Sequence, residues 1–252
     1  MSGHSKWSTI KHRKGAQDAK RGKIFTKVIK EITVAARLGG GDPEANPRLR
    51  AAMLQAKSVN MPSDNVNKAI KKGTGELQAE SYETLVYEGY GPHNVAVIVE
   101  CLTDNRNRTI SSVRSIFNKN SGNIGATNSV MYMFDRVGLI EVEKSTIDED
   151  ALTEIVLDSG AEDIDASQEE IFEITTAMDT LFAVSSFLEE KGVKVSKAEL
   201  ALIPQNKLEI TDTGKAEQIL KFLDLLEDDE DVQNVFTNLD ISDEVMVNLG
   251  QG

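Results

Sequence analysis

Cysteine is nearly absent from this sequence: Cys101 is the only one in 252 residues. No intrachain disulfide framework is therefore possible, and a reducing compartment fits. Long apolar runs are missing as well. None approaches the roughly 18 residues that a membrane span requires, so no membrane is expected among the partners. The N-terminus lacks the apolar stretch of a secretory signal. Its basic, acid-poor start imitates a mitochondrial transit sequence, but candidate functional residues begin already at Gly3, and the expectation is a cytoplasmic protein. Catalytic and metal-binding patterns are equally scarce. His4 and His12 stand eight residues apart with no acid or cysteine between them, which is not a metal-ligand spacing. His93 is isolated, and no histidine accompanies Cys101, as nucleophilic catalysis would need. The glycines Gly39–Gly41 and Gly73-Thr74-Gly75 do not match a phosphate-binding loop. No metal, no cofactor and no enzymatic activity is expected.

What the sequence does have is charge, unevenly spread. The chain is acidic overall, at a formal −13, with 40% hydrophobic and 27% charged residues, an ordinary soluble composition long enough for two or three domains. Yet Met1–Lys30 holds nine Lys and Arg (Lys6, Lys11, Arg13, Lys14, Lys20, Arg21, Lys23, Lys27, Lys30) against one acid, Asp18. Over Met1–Gly75 the net charge is +11, leaving −24 for the remainder. A basic end on an acidic body implies a polyanionic partner approached through that end.

Met1–Gly15 is polar and basic with one Trp, and reads as an extended arm. Apolar residues at the helical period predict a helix over Ala16–Leu38. Asn46-Pro47 has the form of an N-cap and first helical residue of a helix running to about Val59. A third, short helix capped by Ser63 is stopped by Gly73. After a linker at Gly73–Ser81 the pattern turns to α+β. Strands are predicted at Asn94–Thr103, Val130–Phe134, Val137–Val142, Ile171–Thr175, Val193–Leu202, Lys207–Thr211 and Asp231–Ile241, with a short extended piece at Ala161–Ile164. Helices are predicted at Arg106–Lys119, Thr146–Ser159, Ala177–Lys191 and Thr213–Glu227. The acidic run Glu227–Asp231 reads as a solvated turn. The fold class is α+β and multidomain, a basic three-helix domain ahead of two ferredoxin-like sandwiches.

The arm carries the clearest chemistry. His4, Lys6, Lys11, His12, Arg13, Lys14, Lys20, Arg21, Lys23 and Lys27 form a cationic set for phosphates. Trp7 either stacks on an unpaired base or anchors the arm on its own domain. Tyr87-Glu88-Gly89-Tyr90-Gly91-Pro92 is either a tight turn into the following strand or a loop offering Tyr to RNA. In Asp104-Asn105-Arg106-Asn107-Arg108-Thr109, Asp104 or Asn105 caps a helix, while Arg106 and Arg108 are candidates to hold phosphate at its N-terminus.

These stretches resemble the YebC family, which includes the PmpR-type bacterial regulators and the mitochondrial translational activator of cytochrome oxidase. The resemblance is carried by GHSKW at Gly3–Trp7, IKHRK at Ile10–Lys14, AKRGKIFT at Ala19–Thr26, EITVAAR at Glu31–Arg37, GGGDPEANPRLR at Gly39–Arg50, NMP at Asn60–Pro62, AIKKGTG at Ala69–Gly75, YEGYGP at Tyr87–Pro92 and LTDNRNRT at Leu102–Thr109. It implies a non-enzymatic protein with an N-terminal helical domain (1–75), a ferredoxin-like domain (82–135 plus 205–242) and a second one inserted in it (136–204). It further implies a regulator of gene expression: a ribosome-associated translation factor that contacts rRNA or tRNA and assists proline-rich stretches, with ribosomal proteins as further partners, or else a DNA-binding transcriptional regulator. The sequence departs from the family's glycine pattern at Asn94, Ser121 and Asn128. Asn tolerates positive φ and so suits two of these positions; Ser does not suit the third.

Overall fold

The computed structural model describes residues 17–78, 80–168 and 170–250. The chain folds as two compact units, one formed by Glu31–Gln78 with Arg136–Leu202, the other by the described residues within 2–30, 79–135 and 203–252. The first helix, α1 (Gln17–Gly39), passes from one unit to the other after Lys30.

In the first unit α1 ends at Gly40, whose φ of +88° lets its N–H reach back to the Ala36 carbonyl at 3.0 Å. Asn46 then does two jobs. Its Oδ1 accepts from the Leu49 N–H at 3.1 Å, capping α2 (Pro47–Ser58), and its Nδ2 donates to the Ala35 and Gly40 carbonyls at 2.8 and 2.7 Å. One buried amide thus satisfies the loose end of one helix and the start of the next. α3 (Ser63–Gly73) differs from expectation at both ends. Pro62 is its N-cap, Ser63 is already helical, and no side chain caps it. Gly73 is inside the helix, where a Cβ would lie 2.4 Å from the Thr33 carbonyl and 2.6 Å from the Ala36 methyl. It is needed for close approach to α1, and its role as a helix stop is secondary.

The same unit holds the inserted sheet, in the order β5-β6-β4-β7, from β4 (Phe134–Glu143), β5 (Asp163–Asp165), β6 (Ile171–Thr176) and β7 (Val195–Pro204). With α5 (Glu149–Leu157) after β4 and α6 (Leu181–Glu190) after β6, the connectivity is βαββαβ, the ferredoxin-like arrangement. Ile140, Val142, Leu152, Phe172, Ile174, Leu181 and Leu188 fill its core. The strand expected at Val130–Phe134 is a short 3-10 turn at Met131–Met133, and β4 begins at Phe134.

The second unit is built on the sheet β3-β1-β2-β9, antiparallel throughout: β1 (Glu83–Tyr90), β2 (Ala96–Thr103), β3 (Asn123–Ile124) and β9 (Val232–Thr237). β2 is buried along its length except at half-buried Glu100, as its unbroken apolar run requires. α4 (Arg106–Lys119) and α7 (Thr213–Glu227) pack on the sheet, Phe117 and Phe222 meeting edge to face at 5.0 Å. β1 corrects the reading of Tyr87–Pro92: Tyr87 to Tyr90 lie in a strand, and the turn is Pro92–Asn94. The sheet order is again ferredoxin-like, but the strand between β3 and β2 comes from the front of the chain. The buried Glu88 carboxylate of β1 accepts the N–H groups of Asn128, Val130 and Met131 at 2.8, 3.1 and 2.8 Å, fixing the loop ahead of β4.

The last expected strand divides at Asn238. β9 joins the four-stranded sheet, while β10 (Leu239–Ile241) pairs in parallel with β8 (Leu208–Ile210). Asn238 holds both, its Oδ1 accepting from Ala96 N–H at 2.8 Å and its carbonyl from Leu208 N–H at 2.7 Å. A final helix, α8 (Asp243–Gly250), was not expected.

Asn94, Ser121 and Asn128 all have positive φ, at 62°, 59° and 64°. Ser121 is exposed, so its hydroxymethyl group packs nothing that offsets the strain. Ser121→Gly should stabilise the protein by about 0.5–1 kcal/mol, read as a higher urea-unfolding midpoint, and Asn128→Gly should change it less. A lower midpoint for Ser121→Gly would show that the strain is not there.

Candidate nucleic-acid interface

Of the predicted site residues, His4, Lys6, Trp7, Lys11, His12, Arg13 and Lys14 lie outside the described residues. Lys20 and Arg21 fall in the first turns of α1, their side chains likewise outside. The remaining lysines of this helix are placed, and they do not point into empty solvent. Lys23, Lys27 and Lys30 follow one another at four and three residues, one face of a helix. Lys23 Nζ donates to the Asp228 carbonyl at 3.0 Å, Lys27 Nζ to the Glu227 carbonyl at 2.5 Å, and Lys30 Nζ to the Glu230 carbonyl at 2.9 Å. Glu227 is the last residue of α7 and Asp228 its C-cap. The Glu227 and Asp228 carbonyls lie at the negative end of the helix dipole, where ammonium groups suit them. The acidic run Glu227–Asp231 is therefore the seat of three lysines, which corrects its reading as a solvated turn.

Asp231 is the buried end of that run, at 3% exposure. Its carboxylate accepts from Lys30 Nζ at 2.9 Å, from Arg108 Nη2 at 2.8 Å and from Thr109 Oγ1 at 2.9 Å. Burial by itself would raise its pKa; the hydrogen bonds from Lys30, Arg108 and Thr109 outweigh this and hold it below the ordinary carboxylate value. Arg108 also reaches Asp104 at 2.8 Å. Its pKa rises above the ordinary guanidinium value, chiefly through the hydrogen bonds to Asp231 and then to Asp104. Asn105 is the N-cap of α4, accepting from Arg108 N–H at 3.1 Å. Arg108 is thus held by two of the protein's own carboxylates, whereas Arg106, in the same first turn, is exposed. A cleft of about 490 Å³ adjoins this cluster, and Asp104, Asp229, Glu230 and Asp231 among its lining give it a charge that repels phosphate.

Sequence reasoning missed Asp231 and did not single out Lys30. Five consecutive acids opposite a helical row of lysines were the signal that would have joined them. It also counted Lys57, Lys68, Lys71 and Lys72 as charge without giving them a role; all four are exposed, on α2 and α3. Arg48 and Arg50 are not free in the same way. Arg48 forms a two-point pair with Glu31 at 2.6 and 3.0 Å, and Arg50 bonds the Pro43 and Glu44 carbonyls and Ser186.

Cys101 is buried in β2, and burial, with Asp229 and Asp231 nearby, pushes its thiol up to about 12. A thiol held protonated in this way is a poor nucleophile at neutral pH. Among the described residues there is no cluster of three or more His, Cys, Asp or Glu placed to hold a metal, and no helix long and apolar enough to cross a membrane.

Three N-terminal helices with a lysine row, ahead of two ferredoxin-like sheets one of which is inserted in the other, define a multidomain α+β class. The chain belongs to the TACO1/YebC family: the family's N-terminal domain matches residues 5–76 and its second and third domain residues 82–239. A probable transcriptional regulatory protein of Desulfotalea psychrophila is 54% identical over 100% of both chains, and one of Geobacter sulfurreducens is 55% identical over 99% of this chain and 100% of its own. In structure the chain is similar to a conserved hypothetical protein of Aquifex aeolicus, with a TM-score of 0.83 and 47% identity over 91% of this chain and 95% of that one.

The Asp231 cluster sets a pH dependence. Because its folded pKa is depressed, Asp231 contributes stability in full above the unfolded value of about 3.9, and this is lost as pH falls through the lower folded value. Asp231→Asn leaves the buried Lys30 without its carboxylate and Arg108 with Asp104 alone, and should cost about 3–5 kcal/mol at pH 7. Urea midpoints taken from pH 7 down to about 2.5 should fall less steeply below pH ~4 for the variant than for the native chain; parallel curves would exclude Asp231 as a source of acid sensitivity.

Proposed function

We propose that this chain is a non-enzymatic, nucleic-acid-binding regulator of gene expression, and more specifically a ribosome-associated translation factor. In this reading the basic N-terminal residues hold rRNA or tRNA, and the bound protein assists translation of difficult, proline-rich stretches. The observation that carries it is the segregation of charge, +11 over the first 75 residues and −24 over the rest. Phosphate attracts the first part and is repelled by the second, so the nucleic acid is engaged from one end. The exposed Lys57, Lys68, Lys71 and Lys72 add cationic groups on α2 and α3.

A second reading, a transcriptional regulator on duplex DNA, is favoured by the names of the relatives. It needs side chains that reach base edges from a helix in the major groove. α2 carries Arg48, Arg50 and Lys57, and the two arginines are engaged within the protein. One free lysine supports backbone contact better than sequence readout, which favours RNA.

Replacing Lys11, Arg13 and Lys14 together by Ala should weaken binding to single-stranded RNA and lower the slope of log K against log salt by about 2, three contacts at about 0.7 each. An unchanged slope would remove these residues from the interface. Sedimentation of the cellular protein through sucrose gradients separates the two readings: co-migration with large ribosomal subunits, lost at high salt, is expected. Tight sequence-selective binding to a promoter fragment, without co-migration, would replace the first reading by the second.

A further inference from the structure

Lys23 and Lys27 belong to the cationic set assigned above to phosphate, yet both end on backbone carbonyls at the C-terminal end of α7. An ammonium seated there is less available to a phosphate than one in open solvent. We infer that the acidic turn Glu227–Asp231 is an internal stand-in for a phosphate backbone: it holds the basic face of α1 in the free protein, and a bound polyanion competes for Lys23 and Lys27 while Lys30 stays with Asp231. This rests on the nucleic-acid reading for its natural ligand, though not for its mechanism.

The three contacts are graded in the way such competition requires. The Lys30 and Asp231 side chains are only 10% and 5% exposed, and Arg108 and Thr109 lock the carboxylate from the other side. That contact is a fixed pivot. Two turns earlier, Lys23 and Asp228 are 40% and 54% exposed, and their charged atoms stand 4.0 Å apart, a solvated pair of the kind that contributes little. Lys27 lies between them, part-buried, on a carbonyl. Release therefore begins at the solvent end and stops at Lys30. A run of phosphates offers Lys23 a fully charged acceptor at hydrogen-bond distance, where the turn offers it a carbonyl oxygen at 3.0 Å and a carboxylate at 4.0 Å. Asp228 and Glu230 are exposed carboxylates that add negative potential at this seat. Asp229 has other work, bonding Ser112 and the Asp231 N–H.

The test uses the full chain, D228N/E230Q, and a control of equal charge, E154Q/E189Q, whose exposed acids lie on α5 and α6. Affinity for a single-stranded oligouridine should rise about threefold to tenfold in D228N/E230Q relative to the control. Hydrogen exchange at the amides of Leu226–Glu230 in the native chain should speed up several-fold when oligouridine is added, while Val232 and β9 stay protected. Oligouridine binding with unchanged exchange, and with both variants alike, would overturn the competition and leave the functional reading standing. Faster exchange with heparin but no binding of RNA or DNA would support the competition and remove nucleic acid as the ligand. No response to any of the three polyanions would overturn both.

Discussion

One carboxylate gathers three segments that are far apart in sequence. Asp231 receives Lys30 from α1, Arg108 and Thr109 from the first turns of α4, and sits itself just before β9. A buried carboxylate is expensive to desolvate, and the expense is recovered only if its oxygens are fully hydrogen-bonded. Here ammonium, guanidinium and hydroxyl donors converge on it, and its backbone carbonyl takes the Leu102 N–H at 2.7 Å beside the register shift between β2 and β9. Such a cluster adds little net stability over an apolar one, but it tolerates few alternative arrangements. It fixes where the N-terminal half of α1 lies on the unit that carries β1, β2, β3 and β9.

That constraint changes how the charge of the chain is counted. Lys23, Lys27, Lys30 and Arg108 are matched within their own unit by carbonyls and carboxylates, and Arg48 and Arg50 within theirs. The sum of +11 over the first 75 residues is therefore not all available to a ligand. What remains displayed on the described residues includes Lys57, Lys68, Lys71, Lys72 and Arg106. Helix positions that look equivalent on a wheel differ in function because one face meets an acidic turn and another meets water.

Much of the fold was legible wherever a cap and a period coincide. Asn46-Pro47 marked α2, and α4 and α7 have the bounds the sequence predicted, with Asn105 and Asp212 as their N-caps. β1 was not legible, because ETLVYEGY sends Leu85 and Tyr87 to the core but puts Val86 and Glu88 together on the other face, where the Glu88 carboxylate holds a distant loop. The break at Asn238 was hidden too. Nothing local distinguishes DVQNVFTNLDI from one strand, since the division depends on Ala96 and Leu208 meeting that residue from distant segments. Of the candidate site, the charge asymmetry was plain from composition, but the partners of each lysine were not, because those partners stand about 200 positions away.

The permuted sheet gives this arrangement a structural reason. In the inserted unit a single run of chain supplies all four strands in ferredoxin-like order. In the other sheet β1 enters first, and β9 returns only after the insertion, at the opposite side of β2. Closing that sheet thus requires the chain to come back from a long excursion, and loop-closure entropy opposes this. β9 arrives led by Glu227–Asp231, whose charges find Arg108 at the start of α4 and the lysines of α1. The acidic turn thus contacts α1 and α4 at the point where the last strand of the sheet begins. The same acids stand, in the same place, as a rival for any phosphate that the lysines meet.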